Sequence, residues 1–164
     1  MVQICQLKPK KSTYSLQELK GKMEAYCAYQ DRCHKEVEEK LRAYDPIPEA
    51  REMILLHLLE EGFLNEERFA RSFARGKFRI KKWGKTRIIR ELRQREISQF
   101  AIKTSLKQIT DPEYSEVLDE LASKRLKALV HCSPLEKKQK LSSYLLYRGW
   151  ENDLVYEKTR ELLD

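Results

Sequence analysis

Glycine and proline are scarce, five of each in 164 residues, too few for the many tight turns of an all-β chain. No apolar run is longer than MILLHLL (Met53 to Leu59), far short of a membrane span. The amino-terminal MVQICQLKPKK has no apolar stretch followed by a cleavage site. These absences point to a helical protein of the cytoplasm. The four cysteines, Cys5, Cys27, Cys33 and Cys132, form no CxxC pair, and a reducing compartment argues against a disulfide framework. Cys33-His34 and His131-Cys132 carry zinc-type ligands, but small residues on helix faces are the plainer account and no metal is expected.

Catalytic motifs are missing as well. His34, His57 and His131 are scattered without HExxH spacing, and no nucleophile-elbow serine occurs. Gly84-Lys85-Thr86 suggests a phosphate loop, but the position five residues before Gly84 is Arg79 where that loop needs glycine, and no apolar strand leads into it. Glu60-Glu61 and Glu66-Glu67 read as helix-end charges. The expectation is a protein that is not an enzyme and needs no cofactor.

What the chain has is charge, unevenly placed. Between Arg68 and Arg95 stand twelve basic residues and one acid, Glu91, a net of +11 in a chain whose total is +7. The remainder is therefore 7 − 11 = −4. At 100° per residue, Arg68, Arg71, Arg75, Arg79 and Lys82 fall on one helical stripe, while Phe69, Phe73, Gly76 and Ile80 form a second, packing stripe about a quarter-turn away. Phe78 lies outside that packing stripe, as a local fold contact or a surface for a partner. Like charges at these spacings repel by a few tenths of a kcal/mol per pair, so a helix that merely needed solubility would intersperse acids. A polyanion or an acidic protein groove explains the segment better. The candidate binding residues are Arg68, Arg71, Arg75, Lys77, Arg79, Lys81, Lys82, Lys85, Arg87, Arg90 and Arg93.

The chain also repeats itself. EVEEKLRAYDPIPEAREMIL, RIIRELRQREISQFAIKTSL and KLSSYLLYRGWENDLVYEKT each give a helix, a break, an apolar residue and another helix. Leu41, Leu92 and Leu145 align at spacings of 51 and 53, with Ile47, Ile97 and Trp150 after the breaks. Capping signals at Ser15, Pro48, Asn65, Asp111-Pro112 and Ser133-Pro134 divide the chain further. They predict helices near 15–30, 32–44, 48–61, 66–82, 85–95, 98–109, 112–130, 134–148 and 151–163. The expected fold is all-α: three tandem three-helix repeats in an elongated array free to curve, with a flexible segment at 1–14 and repeats at 15–62, 63–110 (basic) and 111–164. Each unit alone has a marginal core, so neighbours should pack together.

With repeat and basic segment in view, the chain resembles the RecX family, bacterial regulators of the RecA recombinase. The matching stretches are LEEGFLNEERFARSF (Leu59 to Phe73), KKWGKTRIIRELRQREI (Lys81 to Ile97) and YLLYRGW (Tyr144 to Trp150). Departures from the family pattern are Asn65-Glu66 for an Asp pair, Gly84-Lys85 for Gly-Pro, and Glu96 for a glycine. The last puts the shape of its turn in question, because glycine tolerates a left-handed backbone that glutamate resists. The resemblance implies a protein that binds RecA filaments on single-stranded DNA and limits their extension, ATP hydrolysis and strand exchange; a monomer with no membrane partner is the accompanying expectation. Two other readings are a stand-alone DNA-binding protein without sequence preference and a helical-repeat scaffold for another acidic protein.

Overall fold

The computed structural model describes residues 14–163; the segment expected at 1–14 lies outside them except for Tyr14, as does Asp164. The described residues form nine helices and no strand: α1 (Leu16–Tyr29), α2 (His34–Arg42), α3 (Pro48–Glu60), α4 (Glu66–Lys81), α5 (Lys85–Gln94), α6 (Gln99–Leu106), α7 (Asp111–Lys127), α8 (Pro134–Tyr147) and α9 (Asn152–Leu163). Each expected helix is present. Ser15 and Ser133 close capping boxes with Glu18 and Glu136, and the Asn65 side chain accepts the Arg68 N–H at 2.8 Å. One start shifts. The Thr110 hydroxyl, not Asp111, caps α7, leaving Asp111 and Pro112 in its first turn, where carboxylate and ring both suit.

The helices associate as α1–α3, α4–α6 and α7–α9, and extensive helix–helix contact stays within these triples. The cores follow a different division. α1–α3 enclose their own cluster around Met23, Val37, Leu41, Ile54 and Leu58. The second and third triples share one continuous core that includes Phe78, Ile88, Leu92, Tyr114, Leu145 and Trp150, and Cys33 reaches it from the start of α2. Leu41, Leu92 and Leu145 are each fully buried, as their alignment predicts.

Four residues after each of these leucines the backbone turns left-handed, with φ of 52° at Asp45, 61° at Glu96 and 83° at Gly149. In the second and third repeats the next N–H then reaches back to the leucine carbonyl, Ile97 to Leu92 at 3.1 Å and Trp150 to Leu145 at 3.2 Å. This helix-ending bond drops the following apolar side chain into the core; Ile97 and Trp150 are 8% and 2% exposed. In the first repeat the equivalent residue is Pro46, which has no N–H to give. Ile47, aligned by sequence with Ile97 and Trp150, is one position out of register and 67% exposed. Glu96 therefore adopts the turn that glycine would find easier, and its carboxylate meets Lys35 at 2.9 Å.

The packing stripe of α4 also needs correction. Phe69 is buried and Phe73 and Gly76 are half-buried, but Ile80 is 76% exposed; the inward face is Ala70, Ala74 and Phe78. The two alanines let α6 lie closely against α4. Phe78 joins an aromatic cluster with Tyr114 at 5.7 Å and Trp150 at 6.5 Å. It is a core residue, not a partner contact.

Gly84 and Gly149 join the second repeat to the third. The Gly84 N–H donates to the Arg148 carbonyl at 3.0 Å, and a β-carbon on Gly84 would overlap the Gly149 carbonyl. A β-carbon on Gly149 would overlap Arg87. Gly149→Ala thus meets left-handed strain of about 1–2 kcal/mol and an overlap of similar size. Denaturant unfolding is expected to show a loss of at least about 2 kcal/mol. Truncating Leu41, Leu92 or Leu145 to Ala leaves a cavity in a full core, with an expected loss of about 2–5 kcal/mol in the same measurement.

Candidate partner and nucleic-acid interface

α4 and α5 carry the basic segment, and the fold sorts its cations into three groups. Five of the eleven candidate residues are ion-paired. Arg68 meets Asp31 at 2.8 Å, Arg71 meets Glu67 at 3.4 Å, Arg79 meets Glu113 at 3.1 Å, Lys82 meets Glu120 at 3.4 Å, and Lys85 meets Asp111 at 3.4 Å. Two lie on aromatic rings: Lys77 is 5.2 Å from the centres of both Phe73 and Trp83, and Arg87 is 4.0 Å from Trp83 and 5.1 Å from Tyr147. Arg75, Lys81, Arg90 and Arg93 are exposed and make no ion pair among the described residues.

Most of these pairs cross between repeats. Arg68 also donates to the Gly62 and Phe63 carbonyls at 3.0 and 3.1 Å, so one guanidinium serves the end of α3 and the loop before α2 together. Burial raises the Asp31 carboxyl, but hydrogen bonds from Ser72 and Arg68 outweigh it and hold the group below its usual range. Arg95, outside the candidate set, pairs with Glu36 at 3.5 Å and Glu91 at 3.1 Å. On the other side, Glu113, Glu120 and Asp111 all belong to α7 of the third repeat. The acidic frame inferred from net charge thus closes on the basic repeat from both flanks.

A second network seals the junction of repeats two and three. The buried Tyr114 ring stacks on Trp150 at 4.4 Å, its hydroxyl accepts the Lys85 N–H at 2.8 Å, and it donates to Glu151 at 2.6 Å. Burial, followed by the Glu151 carboxylate, pushes the Tyr114 phenol far above its ordinary range, so it stays a donor. The indole N–H of Trp150 donates to the Lys82 carbonyl at 3.3 Å and Arg148 donates to the Lys81 carbonyl, satisfying the end of α4. Sequence reading missed Tyr114, Glu151 and Arg148; no local pattern pairs residues this far apart in the chain.

The candidates border more than one depression of the surface. Arg68, Arg71 and Arg75 border a shallow depression reaching Gln108. Lys77 and Lys81 border a groove beside Phe73. Arg90 and Arg93 flank Ile89 on the outer side of α5. Among the described residues no three His, Cys, Asp or Glu side chains are grouped to hold a metal ion, and no helix is long and apolar enough to cross a membrane.

The expected stripe therefore has two kinds of member. Replacing Arg71, Arg75, Arg79 and Lys82 with Gln removes three surface ion pairs, each worth about 0–1 kcal/mol, and relieves like-charge repulsion. With the lost pairs offset by the relieved repulsion, a net change of about 1 kcal/mol or less is expected, a shift in melting temperature of no more than about 3 °C. Arg68→Gln, which breaks a guanidinium bonded to a carboxylate and two carbonyls, is expected to cost about 1–3 kcal/mol in chemical denaturation.

Comparison with known proteins agrees with this architecture. The family models for the second and third three-helix domains of RecX match residues 65–106 and 112–158. The regulatory protein RecX of Lactobacillus delbrueckii subsp. bulgaricus is 26% identical over 138 residues, 84% of this chain and 51% of that protein. That of Bacillus cereus is 27% identical over 140 residues, 85% and 52% respectively. The chain spans about half the length of the curated relatives it matches. The crystal structure of RecX from Lactobacillus salivarius superposes with a TM-score of 0.76 at 26% identity, covering 91% of this chain and 96% of that one. Two successive domain models, the shared sequence and the shared three-dimensional arrangement place the chain in the RecX family of regulatory proteins.

Proposed function

We propose that this protein is a regulator of the RecA recombinase, binding RecA filaments on single-stranded DNA and restraining their extension, ATP hydrolysis and strand exchange. It works as a monomer in the cytoplasm, where those filaments form, and needs no cofactor or catalytic group. The reading divides the chain at 15–62, 63–110 and 111–164. The flanking repeats hold the basic one, which supplies the contacts. The observation that carries the reading is the presence, on a chain of the RecX family, of four exposed cations left unpaired after the internal acids are used. Arg75, Lys81, Arg90 and Arg93 are thus available to phosphates or to filament acids. The other seven candidates keep their charge but must exchange an internal partner or a ring for an external one.

Titrating the protein into RecA and single-stranded DNA is expected to lower ATP hydrolysis at sub-stoichiometric amounts. Unchanged ATPase and filament length across the titration would overturn the reading. Replacing Arg75, Lys81, Arg90 and Arg93 with Gln is expected to weaken filament binding without changing the helical circular-dichroism signal. Where the contacts are DNA phosphates, each one lost should lower the slope of log affinity against log salt by roughly 0.7–0.9. Where they are protein acids, the slope should change for filaments and not for naked DNA.

A further inference from the structure

The face of α4 that sequence periodicity assigns to packing is left open at its carboxy-terminal half. Phe73, Gly76 and Ile80 form the floor of a groove of about 320 Å³ between α4 and the loop joining α1 to α2. Ile80 is 76% exposed. Above Gly76 there is no atom within 4 Å of where a β-carbon would stand, so a neighbouring chain could approach the helix backbone there. The acids on the far wall are already engaged, Asp31 with Arg68 and Ser72, and Glu36 with Arg95. Lys77 and Lys81 have no ion pair among the described residues. The groove is therefore apolar at its base and cationic at its rim.

We propose that this groove binds an acidic amphipathic helix of a protein partner, with an apolar side chain seated on Phe73 and Ile80 and carboxylates on Lys77 and Lys81. The two lysines are one turn apart on α4, about 6 Å, which matches acids one turn apart on the partner. Single-stranded nucleic acid fits the same place less well, because it needs an unoccupied aromatic face on which a base can stack. Here the Phe73 ring carries Lys77 and Arg95 at 5.2 and 4.9 Å, and Trp83 carries Lys77 and Arg87. An apolar floor of Ile80 and the Phe73 edge beside an open helix backbone offers nothing specific to a sugar or a phosphate. The inference deepens the proposed function by naming the chemistry of its protein contact, and rests on that reading only for the identity of the partner.

The test uses the full chain and a fluorescein-labelled helical peptide of Ala, Leu and Glu, its leucines and its glutamates each set one turn apart on a single face. Anisotropy should show binding that falls at least tenfold with Ile80→Ser, with Lys81→Glu, and with a control peptide carrying Gln for Glu. Both substituted side chains are exposed, so the circular-dichroism melt should match that of the native chain. Equal affinity for the native chain and both variants would overturn the proposal, as would a peptide that does not bind. An oligo(dT) probe that loses affinity tenfold on Ile80→Ser would overturn it in favour of a nucleic-acid groove. Selective loss of peptide binding supports the groove even where RecA ATPase is unaffected, a result that would overturn the filament reading alone.

Discussion

At Gly84 and Gly149 two backbones touch where neither has room for a β-carbon, and the placement of the second and third repeats depends on that contact. Gly149 ends α8 in a left-handed turn, which sends Trp150 inward and leaves the Arg148 carbonyl facing the Gly84 N–H. Once the two backbone segments are this close, the Trp150 indole reaches the end of α4 and Tyr114 stacks on it. The Tyr114 hydroxyl then spans from the first N–H of α5 to Glu151. Van der Waals closeness comes first here and the hydrogen bonds follow from it, because a buried tyrosine or tryptophan is tolerated only where its polar end finds a partner.

The first repeat is attached by different physics. It has its own apolar core, and its junction with the second repeat is largely polar: Asp31 with Arg68 and Ser72, Lys35 with Glu96 and the Gln94 carbonyl, Glu36 with Arg95. Cys33 is its apolar foothold in the larger core. The positive charge of the central repeat is therefore divided. Arg68, Arg79, Lys82, Lys85 and Arg95 tie the flanking repeats to the centre, and this internal use neutralises part of the field that a partner would meet. Arg75, Lys81, Arg90 and Arg93 stay exposed, with no ion pair among the described residues.

The three left-handed turns show how one architectural rule survives in three chemistries. Gly149 takes the turn without steric cost, Glu96 takes it against its β-carbon and gains Lys35 as a partner, and Asp45 takes it just before a proline. Lys35 in turn holds the Glu96 carboxyl below its usual range. Glutamate at position 96 thus holds the left-handed turn despite its β-carbon. The proline does more: by removing one N–H it withholds the bond that seats Ile97 and Trp150, and Ile47 is left outside.

The sequence by itself determined the helices of the described residues, the caps at Ser15, Asn65 and Ser133, the three buried leucines and the concentration of cations on α4 and α5. All of these rest on interactions spanning a turn or two, or on a repeated spacing. It also carried the resemblance to RecX, in three short stretches. It did not determine which face of α4 is inward, since Phe69, Phe73 and Ile80 on one side and Ala70, Ala74 and Phe78 on the other are both apolar. Only the close approach of α6 and the aromatic cluster with Tyr114 and Trp150 decide between them. Nor could it sort the basic residues into tied and free, because Asp31, Glu113 and Glu120 lie tens of residues from the cations they meet. Tertiary structure made that division, by bringing two mildly acidic repeats against a strongly basic one and leaving a few of its charges unpaired.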